Sequence, residues 1–440
     1  MSRLLRGLQA LPRRQLVLAL CVGFVVRIGI HALVASHAEQ GDPARYDALA
    51  RGILLHGTFG DSRFSPLVPS VSHAPLYPAF LALVFVVFGH NYIAVWMLQA
   101  ALNLSAAATL AATLALRVPR VALGVLWAMC LSPFEAVYTG ALLSESVGSA
   151  LLVAAFCAPY LWRGWRGTLL CGILLGLTAL TREVYLLAPL PAAALIFWRD
   201  RKLTNAALLL VGCMGVVLPW SARNAAVTGR LIPISQGRLG FSLWVGTWAV
   251  DADFTLNDAK GRERVFPDVA WVDGDDRARI ERAQHQPDEQ ALDQVYRQSF
   301  WRHMKSQPLL VLERWIQRAP RMWFGTRFDI FELQPACFPR GSKLWIAVKG
   351  VLFLLNGSMV LLGLIGLVLC ARRSFLWAWW VLPLAYTFAV YFPLNSFESR
   401  YSQPVLPFLM VFSVVTAFVL VGRIAKVRRA RSISPERART

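Results

Sequence analysis

The sequence predicts an all-α polytopic membrane protein, and three observations carry that reading. Of 440 residues, 56% are hydrophobic and only 16% charged, against roughly 25% charged in an ordinary soluble domain. The apolar residues are gathered into long blocks rather than spread evenly, which is the pattern a lipid solvent selects. The basic residues fall between those blocks.

A helix needs about 20 residues to cross the hydrocarbon layer. The blocks place candidate spans at 14–35, 76–88, 91–116, 119–138, 144–161, 167–181, 184–198, 203–220, 344–370, 374–392 and 401–422. The first block carries Arg27 and is too long for the core of a signal peptide, so it reads as a retained anchor.

Net charge is +20, from 45 Lys+Arg against 25 Asp+Glu. Such a balance attracts nucleic acid in a soluble protein. Here no nucleic-acid module accompanies it, and the clusters hold loops to the cytoplasmic side and contact anionic lipid. Arg3, Arg6, Arg13 and Arg14, then Arg163 and Arg166, Arg199 to Lys202, Arg372 and Arg373, and the tail from Arg423 are therefore placed in the cytoplasm. The 36–75 loop, the turn near Glu145, Thr181–Glu183, the 221–340 segment and the 394–400 turn are placed outside. Between residue 75 and an inner Arg117 an odd number of crossings is needed, yet two apolar runs intervene. Either 76–88 dips in without crossing or the 117–120 turn is external. Six of the seven cysteines lie in apolar runs and only Cys337 in a polar stretch, so neither a disulfide framework nor a metal spacing follows.

Two segments are too polar for lipid. The 36–75 loop gathers His37, Glu39, Asp42, Asp47 and His56. The 221–340 segment has an acidic middle, from Asp251 to Asp276, and then an amphipathic helical stretch through Val295, Phe300, Leu309, Leu312 and Trp315, broken at Gln307-Pro308. The domain organisation read from this is a transmembrane module over 1–220 that includes the outer loop 36–75. An extracytoplasmic loop over 221–340, C-terminal helices over 341–422 and a basic tail over 423–440 follow it.

Ionisable groups at a bilayer are costly and usually functional. They concentrate on the outer side: Asp42, Asp47, Glu145, Arg182, Glu183, Arg223, Glu398 and Arg400. Carboxylates and arginines together can take a proton from an attacking hydroxyl and stabilise charge on a departing phosphate. The same charges also fit a plainer reading, as solvated loop acids and headgroup anchors. Arg27 reads as a snorkelling or ion-paired residue, His73 as a hydrogen-bonding turn residue and Glu135 as a structural acid. Trp244 and Trp248 fit interfacial anchoring or sugar stacking.

A series of short motifs runs through the chain in order. Gly41-Asp42-Pro43-Ala44-Arg45-Tyr46 is followed by His73-Ala74-Pro75-Leu76-Tyr77-Pro78, Ser132-Pro133, Leu143-Ser144-Glu145 and Leu180-Thr181-Arg182. Pro219-Trp220, Arg223-Asn224, Ser235-Gln236-Gly237 and Glu398-Ser399-Arg400-Tyr401 complete it. The series resembles the protein mannosyltransferase and aminoarabinose transferase superfamily, of the GT-C type, in its bacterial polyprenyl-phosphate-sugar branch. The resemblance covers residues 14–420.

The resemblance implies a bundle of about 10–12 transmembrane helices with an amphipathic first outer loop and a larger mixed outer loop. It implies a glycosyltransferase of the cytoplasmic (inner) membrane, active on the periplasmic or extracellular side. Its donor would be a polyprenyl-phosphate sugar and its acceptor an envelope lipid, glycan or protein. Asp42 would be the catalytic base, with Asp47 as an alternative, and Glu145 a second acid. Arg182, Arg400 and, more weakly, Arg223 would face the donor phosphate. Tyr46, His73, Tyr77, Asn224 and Tyr401 would shape the substrate site. A divalent ion is compatible with Asp42, Asp47 and Glu145, although their spacing defines no site. Glu183 stands where the family often has Pro, which offers Arg182 a carboxylate partner. A transporter or flippase for a lipid-linked precursor, and a polysaccharide ligase on a related scaffold, are the competing functions. The first of these calls for midplane charges and paired repeats, neither of which is visible.

Overall fold

The computed structural model describes residues 3–35, 41–63, 67–162, 164–236, 239–247, 289–328, 332–333, 339, 341–370, 375–394 and 398–433. His37, Glu39, Cys337, Trp248 and the acidic middle of the 221–340 segment lie outside them, as do Arg163, Arg372 and Arg373. Helices α1 (Arg3–Gln9) and α2 (Arg13–Leu33) open the chain, and α3 (Gly41–His56) lies in the first polar loop. There follow α4 (Leu76–Phe88), α5 (Tyr92–Ala115), α6 (Pro119–Leu131), α7 (Pro133–Thr139), α8 (Glu145–Leu161), α9 (Trp165–Thr181), α10 (Pro189–Asp200) and α11 (Leu203–Thr228). The remainder comprises α12 (Leu239–Gly246), α13 (Glu289–Ser306), α14 (Pro308–Arg318), α15 (Lys343–Cys370), α16 (Phe375–Tyr391) and α17 (Leu406–Ile433). The single sheet among the described residues pairs β1 (Val34–Ala35) antiparallel with β2 (Glu332–Leu333).

Among the described residues, five segments are long and apolar enough to cross a bilayer alone: α2, α5, α11, α15 and Ser399–Gly422. The α6–α7 pair, bent by 51°, makes a sixth if it counts as one span, and α4, α8 and α9 are shorter apolar helices. This is a multi-pass membrane protein. Helix α4, with 13 residues, rises about 20 Å, less than the ~30 Å of hydrocarbon. That shortness is where the sequence could not resolve the crossing.

Contacts divide the chain into two compact units, one of Met1–Ser235, Gly325–Ala385 and Gln403–Thr440, the other of Gln236–Phe324 and Tyr386–Ser402. In lipid, helices associate through close backbone approach and interhelical hydrogen bonds rather than through water exclusion. The first unit follows that rule. Helix α9 runs against α11, where a Cβ on Gly172 would sit 2.0 Å from the Leu209 carbonyl oxygen and one on Gly212 2.6 Å from that of Leu169. Helices α15 and α17 meet likewise: a Cβ on Gly366 would fall 2.2 Å from the Phe412 carbonyl oxygen. Beside that contact the Ser413 and Thr416 hydroxyls each donate across to a main-chain carbonyl of α15, both at 2.7 Å.

The second unit folds by a water-soluble logic. Trp244 is fully buried and stacks on Tyr296, 4.9 Å away. It is thus a core residue rather than an anchor or a sugar platform. Two arginines of α14 close the end of α12. Arg314 donates to the Thr247 carbonyl at 2.6 Å and Arg318 donates to that of Val245. Burial, with repulsion from Arg321 and Arg314 added, brings the Arg318 guanidinium down to about 9. Helix α13 stops at Ser306 and α14 restarts at Pro308, as the Gln307-Pro308 break predicts.

The glycine contacts give a paired test. Gly172→Ala should cost about 1–3 kcal/mol, the usual penalty for overpacking, because the obstructing atoms are backbone. Gly215→Ala, with nothing within 4 Å of the added carbon, should be neutral or gain up to about 1 kcal/mol from helix propensity. Thermal unfolding in detergent distinguishes them, with a lower midpoint for the first variant only.

Candidate functional site

The site is built on the break between α6 and α7. Helix α6 ends at Leu131, Ser132 turns the chain into extended backbone, and Pro133 opens α7 with the Ser132 hydroxyl accepting from the Glu135 amide at 3.2 Å. A helix that stops inside a bundle leaves its last carbonyls without intrahelical partners. Arg27, wholly buried on α2, supplies donors: it reaches the carbonyls of Cys130 at 3.1 Å and Met129 at 3.3 Å, and the Asn103 side-chain oxygen. Asn103 in turn donates to Glu135, whose other oxygen accepts from Gln403 at 3.0 Å. Arg27 is therefore a buried anchor and Glu135 a structural acid.

Beyond α7, residues 140–144 lead into α8, which begins at Glu145. The Glu145 side chain has no solvent exposure and meets Arg182, the residue that caps α9, at 2.8 Å. The same guanidinium nitrogen donates to Ser144 Oγ at 3.2 Å. Glu145, not the adjacent Glu183, is the acid against which Arg182 is set. Their burial removes the solvent screening that makes surface pairs weak.

The first loop supplies the other side. Gly41 adopts φ +65° and opens α3, so Asp42 stands in its first turn, where the helix dipole favours a negative charge. One turn on, Tyr46 packs edge-to-face on His73 at 5.8 Å and on Tyr77 at 5.0 Å between ring centroids. His73 Nδ1 is 2.8 Å from Ser72 Oγ. Ala74, Ala179, Leu180, Cys213, Val217 and Ile234 form an apolar cluster, which seats the 73–77 turn on the end of α9 and the middle of α11. Glu183 keeps exposed surface while protein crowds around its carboxyl. That enclosure pushes its carboxyl up, with the charge of Arg182 opposing and the like charge of Asp42 adding. Asp42, Glu183 and the Arg182–Glu145 pair thus belong to one neighbourhood.

Other predicted residues are engaged elsewhere. Asp47 is buried on α3, its two oxygens held by His90 at 2.6 Å and Arg51 at 3.0 Å. Arg223 clamps the first loop: it donates to the carbonyls of Ser70 at 2.6 Å and Phe59 at 3.2 Å and lies 4.8 Å over the Trp220 ring. Asn224, fully buried, donates to the carbonyls of Ile232 at 3.1 Å and Ile234 at 2.8 Å. Arg400 and Tyr401 belong to the second unit, where Arg400 lies 5.9 Å from the Tyr401 ring, itself stacked on Tyr391 at 4.8 Å. Among the described residues no three His, Cys, Asp or Glu side chains group as a metal site requires. The acids weighed for a divalent ion are dispersed, Asp47 with His90 and Arg51, Glu145 with Arg182.

The chain matches no family model and no curated protein. Its backbone does match solved structures. An archaeal oligosaccharyltransferase, AglB from Archaeoglobus fulgidus, in complex with an inhibitory peptide and a dolichol-phosphate, superposes with a TM-score of 0.52 over 96% of this chain at 14% identity. The fold is of the GT-C type. The apo form of the Archaeoglobus fulgidus oligosaccharyltransferase gives a TM-score of 0.51 at the same identity and coverage. The form tethered to an acceptor peptide gives 0.50 over 94% of this chain. The chain spans about half the length of these GT-C proteins, 52%, 52% and 50% respectively.

Sequence reasoning missed Gln99 and Asn103, two buried amides on α5. A signal was present, since polar side chains inside an apolar run demand partners.

The buried pair predicts its own energetics. Glu145→Gln leaves Arg182 charged without its acid and should cost about 3–5 kcal/mol, as broken buried pairs do. Adding Arg182→Met to the same protein should recover much of that loss. The check is the thermal midpoint of single and double variants; equal midpoints for Glu145→Gln and the wild type would remove the pair as a structural element.

Proposed function

We propose that this protein is a glycosyltransferase that moves a sugar from a polyprenyl-phosphate donor to an envelope acceptor at the outer face of the cytoplasmic membrane. The observation that carries the reading is the shared neighbourhood of Asp42 and the buried Arg182–Glu145 pair on a GT-C-type backbone. The structural neighbour that holds a dolichol-phosphate supports a lipid phosphate as the donor class.

In this reading Asp42 accepts the proton of the acceptor hydroxyl as that oxygen attacks the anomeric carbon. The bond from that carbon to the phosphate oxygen breaks, and the polyprenyl phosphate departs with the electron pair. Arg182 stabilises the charge gathering on the phosphate. Glu145 has no exposed surface, so its part is to aim Arg182 rather than to meet the acceptor. Asp47 keeps α3 in place through His90 and Arg51. Arg223 shapes the site from behind, by holding the 59–70 backbone.

That the structural neighbours are oligosaccharyltransferases favours one alternative, transfer of an assembled oligosaccharide instead of a single sugar. Mass spectrometry of envelope lipids and glycans, in cells with and without the protein, identifies the product and separates the two.

Asp42→Asn should lower accumulation of that product by about 10²- to 10⁴-fold, the range typical of a lost general base, with the protein inserted at normal level. Asp47→Asn should instead lower the thermal midpoint and keep measurable activity. Full activity in Asp42→Asn, with Asp47→Asn dead but folded, would transfer the role of base to Asp47.

A further inference from the structure

Gln99 sits on α5 with no solvent exposure, one turn before the buried Asn103 in a largely apolar helix. All its principal hydrogen-bonding directions are used. Its oxygen accepts from the Tyr77 hydroxyl at 3.0 Å, and its amide nitrogen donates to the carbonyls of Thr139 at 2.9 Å and Ala141 at 2.8 Å. Those two carbonyls flank Gly140, at the point where α7 gives way to the segment leading into Glu145. The segment is fixed from a second direction too. His31 Nε2 lies 3.1 Å from Thr139 Oγ1, and a Cβ on Gly140 would fall 2.4 Å from the His31 ring. On the opposite side, Tyr77 packs on Tyr46, one helical turn from Asp42.

A single amide therefore joins two halves. One is the α3 helix that starts at Asp42, reached through Tyr77 and Tyr46. The other is the strand of backbone that delivers Glu145 and, through it, Arg182. We infer that Gln99 is a positioning residue that sets the distance between Asp42 and the Glu145–Arg182 pair. This inference rests on the transferase reading for its functional consequence, but its structural content stands apart. The chemistry explains why an amide is required. A carboxylate at this position would accept from Tyr77 but would face two carbonyl oxygens with no hydrogen to offer. A leucine would leave two buried carbonyls and a phenol unpaired, each at a cost of desolvation. Reaction geometry tolerates little slack, and a misplacement of about 1 Å can cost roughly 10²-fold in rate.

The test uses the full chain in lipid nanodiscs and three readouts on Gln99→Leu, with Tyr77→Phe as the milder companion. The first is accumulation in cells of the envelope product that depends on the wild-type protein. It should fall at least tenfold in Gln99→Leu at equal protein level. It should fall less in Tyr77→Phe, and the double variant should be no worse than Gln99→Leu. The second is the affinity for undecaprenyl phosphate by native mass spectrometry, which should stay within twofold, because each half of the site remains intact. The third is hydrogen exchange, which should rise together in 41–56 and 139–145 while α9 and α11 stay protected. Unchanged product, or an exchange increase confined to 139–145, would overturn the inference and reduce Gln99 to a local cap. Should the wild type make no product at all, the transferase reading fails, and the paired exchange response alone decides whether Gln99 couples the two segments.

Discussion

A helix that stops in the middle of a membrane bundle must have its freed carbonyls satisfied by the protein itself, because lipid offers no donor. Everything around the candidate site depends on how that is done at Ser132-Pro133. Arg27 takes the carbonyls of Met129 and Cys130, and Asn103, Glu135 and Gln403 carry the polar chain onward. The network reaches Arg327, which donates to Gln403 at 3.4 Å and to Asn356 at 2.8 Å. An arginine on α2, an amide on α5 and three residues beyond position 320 are thereby committed to one bend. The bend turns α7 by 51° from α6 and sends the following residues toward Arg182.

The site inherits its rigidity from that arrangement. Glu145 enters at the first residue of α8 and Arg182 at the last cap of α9, so two consecutive helices present opposite charges at the same end. The first loop is fastened independently. Arg223 grips its backbone, the Gly60–Pro69 bridge closes it, and Asp47 pins α3 through His90. These arginines and acids do different jobs although they look alike in the sequence. One pair lies buried in the neighbourhood of Asp42, and others spend their charge on main chain or on each other.

How much of this was legible depends on the range over which each signal acts. Helix positions were readable because a lipid solvent imposes long apolar runs, and the break at Gln307-Pro308 was readable because proline lacks an amide hydrogen. The break at Ser132-Pro133 was not, since apolar residues run on both sides of it and 119–138 reads as one span. Asp42, Tyr46, His73 and Tyr77 were named from the sequence, and three of them do pack together. Pairing was not readable. Arg182 has Glu183 beside it in sequence yet faces Glu145, 37 residues earlier, because the turn after α9 directs its side chain back along α8. Gln99 went unnoticed for a similar reason: its significance lies in carbonyls 40 and 42 positions away.

The placement of Glu145 and Arg182 on neighbouring antiparallel helices bears on biosynthesis. Either charge alone would burden the helix that carries it as that helix leaves the translocation channel. Drawn together, they cancel, so α8 and α9 are suited to enter the bilayer as one hairpin rather than in succession. The proposed chemistry at the membrane surface and the route by which the chain reaches the membrane would then be served by the same pair of side chains.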